Sequence, residues 1–445
     1  MRPLAEIRGN RCLLAAILVV FGSGVASAGN DWASFQNGGQ VSLSASAAVG
    51  DWKLAPELAW TADLTGYGQS SPVVWGEHVY VTSVEGPEKE TYLVSAYALA
   101  DGKQVWQHKV KNATPQKSSN YVSRAAPTPA ADAEGVICFF EGGNLLAFTH
   151  KGDVRWERNL AEEYGEISSR HGLAASVAQD ERSAFIWVER SEEPYVLSVD
   201  KKTGENNWKV AGLGATSWSS PRLVPVADGH HLVLSASGHL VGLDPESGER
   251  LWAFEGISGN TTPTPVPLGD GRFLIGATVG RGNSDAGKSA KSNGVIQIAK
   301  NADGTWKADY LWRAKRATSS FSSPMAHNGT AYFINKTGVI FGLDLETGQE
   351  KFNKRLGGGV WATPIGIGEL VMICGRDGKI NLLANSGDDQ EFSKWEALPE
   401  DPEPVAGEKT DRFSASVLYS ALWSEQLVLL RRGEALFAVK VVREQ

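Results

Sequence analysis

The stretch DPESGERLW, residues 244–252, decides the fold of this chain because its pattern recurs with fixed spacing. Residues 200–208 read DKKTGENNW and residues 344–352 read DLETGQEKF, so all three copies separate an acidic residue, a glycine and an aromatic equally. The repeated positions are Asp200, Gly204, Trp208, Asp244, Gly248, Trp252, Asp344, Gly348 and Phe352. A spaced pattern recurring at intervals typical of propeller blades indicates a repeat array.

Four short apolar runs surround the copy at 244–252 and indicate four strands. They cover residues 219–224, 231–235, 239–243 and 250–254, and Gly, Asp and Pro residues separate them. Short apolar runs bounded by turn residues are typical of an antiparallel meander. We therefore predict an all-β fold that is built from four-stranded antiparallel blades.

The residue types of the repeated phrase indicate a structural role. Asp and Thr side chains accept hydrogen bonds from nearby amides in a tight turn, and Gly adopts the positive φ that closes the turn. The aromatic then falls on the outer strand, where it can cover the neighbouring blade. We interpret all nine repeated residues as structural and predict no catalytic residue among them.

Counting the outer-strand aromatics gives eight blades. They are Trp60, Trp106, Trp156, Trp208, Trp252, Trp312, Phe352 and Trp395. Small-residue or proline segments should open the first strands, at 70–72, 125–127, 172–174, 219–221, 262–263, 322–324, 362–364 and 414–416. A seven-bladed ring is the alternative, because Phe352 and Trp395 mark less regular copies.

The two ends of the repeat region complement each other. Residues 57–63 read as an outer strand with no blade before it, whereas residues 414–440 supply three strands and then nearly run out. Pairing them closes a ring and removes an exposed edge. The sequence predicts an eight-bladed β-propeller over 57–445, closed by its N-terminal outer strand.

The first residues indicate export. Basic residues (Arg2, Arg8 and Arg11) precede an apolar run at 13–21, and residues 26–28 form an A-x-A cleavage site. These are the parts of a secretory signal peptide in their usual order. We predict a signal peptide at 1–28, a lead-in segment at 29–56, and a periplasmic or secreted protein. Cys12 precedes the apolar run, so no lipid-bearing cysteine and no stable membrane anchor are expected.

Charge argues against nucleic acid as a partner. The 445-residue chain carries a formal net charge of −8. Removing residues 1–28 takes away three Arg and one Glu, a net +2, and leaves −10. An acidic protein has no general attraction to nucleic acid or anionic lipid.

Long connections accumulate on one face of the predicted ring. In a meander, the links between strands two and three and those between successive blades emerge on the same face. The long segments are 85–91, 111–124, 161–171, 189–194, 281–294 and 398–412, and all belong to that face. Repeat proteins often bind through such a face, which we call the insertion-rich face.

Loops on the insertion-rich face bring candidate ligand-binding residues towards the mouth of the channel. They are Arg124, Arg170, His171, Trp218, Asn260, Trp361 and Arg412. Three arginines in an acidic protein can form an anion or carboxylate pocket. The alternative is that they are solvated loop arginines.

Other chemical motifs are weak or missing. Residues 282–289 match the G-x-x-x-x-G-K-S phosphate loop, but they lie between two strand-like runs with no helical periodicity after them. That loop requires a strand before it and a helix after it. We expect a polar hairpin loop there and no nucleotide. No His or Cys spacing suggests a metal site.

The A-x-D-x-x-T-G-x-x-x-W phrase resembles the PQQ-like β-propeller repeat family, which includes quinoprotein alcohol dehydrogenases and BamB-like scaffolds. The resemblance runs from about Trp32 to the C-terminus. For the dehydrogenases it implies a vicinal cysteine disulfide, a calcium ion and a catalytic Asp. This chain has no adjacent cysteines. BamB-like members bind protein partners through loops on one face without a cofactor.

These observations favour an exported, non-enzymatic propeller that binds a protein or another extracytoplasmic ligand on the insertion-rich face, with no cofactor or metal. The alternative is a divergent PQQ-dependent oxidoreductase that uses calcium. In that case Arg124, Arg170 and Arg412 would hold the carboxylates of the quinone.

Overall fold

Eight sheets make up a computed structural model of the chain; seven have four strands, and the eighth has four strands and a short additional one. The structure describes residues 31–43, 55–112, 114–116, 123–169, 171–278, 286–384, 392–396, 398, 417–424 and 427–442. All pairings within the blades are antiparallel, and the eight sheets form an eight-bladed β-propeller. The predicted fold is confirmed, and the seven-bladed alternative is wrong.

The chain begins with elements that belong to later blades. A 3-10 turn spans Phe35–Gly39, and strands β1 and β2 span Ser42–Leu43 and Ala55–Asp63. Strand β1 pairs in parallel with the first strand of blade 7, and β2 forms the outer strand of blade 8. The predicted signal peptide at 1–28 lies outside the described residues, and β2 starts two residues before the predicted boundary at 57.

The first four blades follow in chain order. Blade 1 contains β3 Val73–Trp75, β4 His78–Glu85, β5 Thr91–Ala98 and β6 Gln104–Lys111. Blade 2 contains β7 Ala130–Asp132, β8 Gly135–Phe139, β9 Asn144–Phe148 and β10 Val154–Asn159, and helix α1 Leu160–Tyr164 follows it. Blade 3 contains β11 Ala178–Gln179, β12 Ser183–Val188, β13 Tyr195–Asp200 and β14 Asn206–Ala211. Blade 4 contains β15 Arg222–Val226, β16 Gly229–Ala236, β17 His239–Leu243 and β18 Arg250–Glu255.

The last four blades complete the ring. Blade 5 contains β19 Val266–Gly269, β20 Arg272–Ile275, helix α2 Ala286–Ala290, β21 Gly294–Lys300 and β22 Trp306–Arg313. Blade 6 contains β23 Met325–His327, β24 Thr330–Ile334, β25 Val339–Asp344 and β26 Glu350–Arg355. Blade 7 contains β27 Ile365–Ile367, β28 Leu370–Cys374, β29 Lys379–Ala384 and β30 Phe392–Glu396. Blade 8 contains β31 Leu418–Ser424, β32 Leu427–Arg432 and β33 Ala435–Val442, together with β2.

Helix is scarce in this fold. Helix α2 lies in the connection for which the sequence predicts a plain polar hairpin loop, and it forms a single turn there. Ser289 and Asn293 at its C-terminal end are buried, and Asn293 bonds to the backbone of Ala277. None of the helices in the described residues is long and apolar enough to cross a membrane.

The repeated phrase forms the hairpin between the third and fourth strands, as predicted. In blade 3, Asp200 Oδ1 accepts hydrogen bonds from the amides of Lys202 (2.8 Å) and Thr203 (2.9 Å). These bonds, the one from Thr203 first, hold the pKa of Asp200 below its usual value. Gly204 closes the turn with a φ of 75°. The same acceptor pattern recurs at Asp244, and Gly248 and Gly348 have φ values of 75° and 69°.

The closing aromatic of one blade packs on the turn glycine of the next blade. A Cβ atom at Gly204 would lie 2.6 Å from the Trp156 ring, and one at Gly348 would lie 2.6 Å from the Trp312 ring. Five indole N–H groups also donate to a carbonyl of that turn: Trp60 to Leu99, Trp106 to His150, Trp156 to Lys201, Trp208 to Pro245 and Trp312 to Leu345, at 2.9–3.0 Å. The predicted inter-blade role of these tryptophans is therefore confirmed.

Trp252 departs from this arrangement. Its indole donates instead to Nδ1 of His231, at 3.0 Å. The cause lies in blade 5, whose hairpin reads NADGT at 301–305 and lacks the repeated phrase. Gly304 in that hairpin has no contact within 4 Å of where its Cβ would be. His231, in the same blade as Trp252, accepts the hydrogen bond that a turn carbonyl of the next blade accepts elsewhere.

Arg431 fastens blade 8 to blade 1 where the ring closes. Its side chain is 0% exposed, and its guanidinium donates to the carbonyls of Ser70, Thr82 and Gly433 and to the hydroxyls of Ser70 and Ser83. Burial lowers the pKa of Arg431 to about 10. Five hydrogen bonds to these acceptors compensate the buried charge. If blade 8 separated from blade 1, the guanidinium would lose most of them.

We predict that Gly348→Ala destabilises the protein much more than Gly329→Ala does. Both glycines have positive φ, 69° and 70°, so alanine costs about 1–2 kcal/mol at either position. Only Gly348 lies against Trp312, whereas a Cβ at Gly329 meets nothing within 4 Å. Overpacking should therefore add about 1–3 kcal/mol at position 348. Urea unfolding measures both values, and equal losses would contradict the proposed contact.

Candidate functional site

A belt of hydroxyl groups runs along the central channel over six of the eight blades. In each step, the backbone amide two residues before one first strand donates to the side-chain hydroxyl at the same position of the next blade. The bonds run from Ser71 to Thr128 (2.9 Å), Thr128 to Ser176 (3.1 Å), Ser176 to Ser220 (3.0 Å), Ser220 to Thr264 (3.0 Å) and Thr264 to Ser323 (2.9 Å). Six consecutive blades are thereby joined around the channel.

The sequence carries a signal for this belt that the predicted strand openings do not capture. Five of the six belt residues precede a proline, which has no N–H and therefore suits a first strand that has no partner on its inner side. The openings predicted at 125–127 and 262–263 end before the belt residues Thr128 and Thr264. In blade 3 the belt residue is Ser176, after the predicted opening at 172–174. A recurring Ser/Thr-Pro dipeptide would have placed most of these strands correctly.

The lead-in segment closes the channel on the face opposite the insertions. Trp32 forms a β-bridge with Val74, near the hairpin of blade 1. Gln36 reaches the belt, and its buried amide donates to the hydroxyls of Ser323 (2.8 Å) and Thr363 (2.7 Å). Its Oε1 atom accepts a hydrogen bond of 2.9 Å from Arg222. The lead-in is therefore the floor of the channel.

A blind cavity of about 220 Å³ lies between this floor and the insertion-rich face. Trp32, Phe35 and Gln36 line its lower end, and belt hydroxyls such as Ser71 and Thr128 line its wall. Its upper end is bordered by Trp218, Phe321, Trp361 and Tyr419, which we call the aromatic mouth. No Asp, Glu, Lys or Arg is among the described residues that line the cavity.

Three rings of the aromatic mouth form a chain of contacts through Trp361. The centroid of Trp361 lies 4.6 Å from that of Phe321 and 5.7 Å from that of Tyr419. Phe321 is 49% exposed, although it is a large apolar side chain. The predicted residue His171 also reaches this region, with its ring centroid 5.7 Å from that of Trp218. The structure thus brings three predicted residues, His171, Trp218 and Trp361, to the mouth.

Arg124 is the one predicted arginine that falls within the described residues. Its guanidinium carbon lies 3.5 Å above the Tyr67 ring, and its backbone amide donates to Oε1 of Gln69. The hydroxyls of Tyr67 and Tyr419 are 3.0 Å apart, and burial raises the pKa of the Tyr67 phenol. Arg170 and Arg412 lie outside the described residues, so the pocket of three arginines stays a prediction.

Asn260 lies beside the channel, but its side chain bonds mainly to backbone groups. Its amide nitrogen donates to the hydroxyl of Ser235 and to the carbonyls of Ala236 and His239, and its Oδ1 accepts from Gly238. The side chain is completely buried and does not line the cavity. The hydrogen-bonding groups of Asn260 therefore stabilise the turn between β16 and β17 and are not directed at a ligand.

A buried ion pair anchors one insertion next to the mouth. Lys89 lies in the connection between β4 and β5, and its Nζ is 3.0 Å from the Ser123 carbonyl and 3.5 Å from Glu141 Oε1. The amide of Ala125 donates to the same carboxylate oxygen. Burial raises the pKa of Glu141, and Lys89 opposes that shift. This insertion is fixed to the segment that carries Arg124.

Metal ligands and reactive thiols are not gathered at the site. Within the described ranges, no three His, Cys, Asp or Glu side chains lie close enough together to hold a metal ion. Cys138 and Cys374 are both buried and unpaired. Burial raises the pKa of the Cys374 thiol to about 12, so it is not a thiolate at neutral pH.

We predict that attachment of the lead-in weakens as the pH falls below about 6.5. Nε2 of His327 lies 2.7 Å from the Gly368 carbonyl and must donate, so Nδ1 accepts from Ser42 Oγ at 2.7 Å. Burial lowers the pKa of His327 from 6.5. The unfolded chain therefore binds a proton at His327 more readily than the folded chain does. As a result, the free energy of unfolding decreases as the pH is lowered through this range.

Urea unfolding at pH 7.5 and pH 5.5 measures this dependence. His327→Gln should reduce the loss of stability between the two pH values. His230→Gln, at an exposed position, should leave the loss as it is in the wild type. An unchanged loss in His327→Gln would contradict the assigned role.

Comparison with known proteins agrees with the architecture. The profile of the family described as outer membrane protein assembly factor BamB matches residues 18–252 and 192–358. Together these ranges cover well over half of the chain. No curated protein matches the sequence.

Solved structures share the fold at low sequence identity. BamB from Moraxella catarrhalis superposes with a TM-score of 0.60 at 12% identity, over 88% of this chain and 99% of that chain. The computationally designed Ika8 protein gives 0.59 at 10% identity, over 86% and 99%. A europium-containing methanol dehydrogenase gives 0.47 at 13% identity, over 80% and 89%. The first two similarities concern the fold alone.

Proposed function

Because the chain belongs to the family described as outer membrane protein assembly factor BamB, we propose that it is an extracytoplasmic, non-enzymatic scaffold that binds a protein partner on its insertion-rich face. Three parts of this proposal have separate support. The signal-like residues 1–28 support export. The aromatic mouth supports the binding face. The composition of the cavity wall supports a role without a cofactor.

The aromatic mouth is the observation that carries the proposal. Phe321 is 49% exposed beside Trp361, and both lie at the rim of a cavity that the lead-in closes below. Large aromatic side chains are enriched at the centres of protein interfaces, because they bury much area at little entropic cost. A blind, largely apolar well ringed by aromatics suits an apolar side chain of a partner protein. The surrounding insertions can supply the polar rim.

The alternative of a quinone-dependent oxidoreductase fits this cavity less well. A calcium ion needs several oxygen ligands, and carboxylates normally supply part of them. The described lining offers hydroxyls, the amides of Gln36 and Gln69 and aromatic rings, but no carboxylate. The two cysteines of the propeller lie in blades 2 and 7, so they cannot form a vicinal disulfide. We therefore derive no catalytic step for this protein.

We predict that Phe321→Ala and Trp361→Ala each weaken binding of the partner by about ten-fold or more, as expected for aromatic anchors. Leu311→Ala is the matched control, because Leu311 is similarly exposed (53%) but lies on the outer strand β22. A photo-crosslinking amino acid placed at position 321 or 311 in cells identifies the partner. Binding of the purified pair then gives the affinities.

Two results would contradict the proposal. One is equal crosslinking from positions 321 and 311, with no loss of affinity in the two aromatic variants. The other is micromolar binding of PQQ with calcium in calorimetry, together with reduction of a dye by alcohols or sugars. The second result would establish the oxidoreductase instead.

A further inference from the structure

A second cavity, of about 240 Å³, lies on the opposite side of the lead-in from the aromatic mouth. The lead-in residues Ser34, Gly38 and Gln40 form one wall, and the first strands of blades 3 to 5 form the other. Arg222, at the start of β15, is the one arginine or lysine among the described residues of this lining. We call this space the Arg222 cavity.

Arg222 is buried, yet most of its hydrogen-bonding capacity is unused. The residue is 4% exposed. Its Nη1 donates to the Phe35 carbonyl at 3.3 Å, and its Nη2 donates to Gln36 Oε1 at 2.9 Å. A guanidinium has five N–H donors, so three are left without an acceptor in the described part of the chain. One of them is on Nε, which has no hydrogen-bond partner there.

The charge of Arg222 is also uncompensated. Within the described residues, no carboxylate forms an ion pair with it at 4.0 Å or less. Burial lowers the pKa of Arg222 to about 9, and no acidic neighbour opposes that shift. Buried cations in proteins are normally paired, because desolvation penalises the charged form.

Arg431 shows how the same fold satisfies a buried arginine. It is 0% exposed and also has no carboxylate beside it among the described residues, but it makes five hydrogen bonds to carbonyls and hydroxyls. It lines neither the Arg222 cavity nor the cavity below the aromatic mouth. The two arginines differ in that only Arg222 combines free donors with an adjoining space.

We infer that the Arg222 cavity binds a small oxyanion, with a carboxylate or phosphate oxygen on the free N–H donors of Arg222. Two N–H groups on one edge of a guanidinium match two oxygens of such an anion. The hydroxyl of Ser34 and the imidazole of His230 belong to the same lining and can donate further hydrogen bonds. This anion site is independent of the aromatic mouth and of the proposed protein partner.

Anion binding should also stabilise the floor of the channel. Arg222 grips the lead-in through Phe35 and Gln36, and Gln36 in turn bridges the hydroxyl belt. A bound anion would compensate the positive charge of Arg222 and so reduce the desolvation cost of keeping the guanidinium buried. A ligand that binds only the folded protein raises the midpoint of unfolding as its concentration increases.

The test uses the full mature chain with sodium phosphate and sodium acetate, each against sodium chloride at equal ionic strength. The thermal midpoint should rise with phosphate or acetate and saturate, and calorimetry should show one site. The anion with the lower dissociation constant identifies the source of the oxygens. Arg222→Met should lose the shift, whereas Arg250→Met, which removes an exposed charge from the same blade, should keep it.

If Arg222→Met does not fold, a second variant tests the same site. Gln36→Glu places a carboxylate within reach of Arg222, and Ser323 and Thr363 can turn their hydroxyl hydrogens towards it. This variant should be more stable without added anion and should bind the anion at least ten-fold more weakly. No shift with either anion, or equal shifts in the wild type and Gln36→Glu, would overturn the inference.

Discussion

Contact between an indole and a turn glycine in the next blade is the interaction on which this ring depends. A single blade exposes apolar surface on both faces and cannot bury it alone. Each Trp–Gly contact fixes one blade against its neighbour at the outer edge, and the hydroxyl belt does the same at the inner edge. Two concentric sets of contacts therefore set the angle between blades, and the channel radius follows from that angle.

The positions that obey the repeat are those that the sequence predicts well. Asp200, Gly204 and Trp156 belong to local phrases whose turn and strand chemistry does not depend on distant residues. Their roles can be inferred from spacing alone. The exception, Trp252, follows the phrase in its own blade but loses its partner because the phrase is missing from the next one. Such a contact can be predicted only when the repeated phrase is compared in both neighbouring blades.

The site is harder to predict because its residues are brought together by ring closure rather than by spacing. Trp218, Phe321 and Trp361 are predictable because loops entering first strands point to the channel, whereas Tyr419 completes the mouth from within strand β31. Asn260 occupies a comparable position, and nothing in its local sequence shows that four backbone and hydroxyl groups use its amide. The role of Gln36 depends on Ser323 and Thr363, which are distant in sequence.

The pairing of β2 with β33 has a consequence for the order in which the protein can form. Strand β2 lies near the start of the chain, and its partner in blade 8, β33, ends at Val442. Until β33 is available, blade 8 has no third strand and the backbone of β2 has no pairing partner. During synthesis from the N-terminus, β2 must therefore remain without its partner strand while blades 1 to 7 are made. The ring can close only when β2 and β33 pair, so two strands far apart in sequence complete it together.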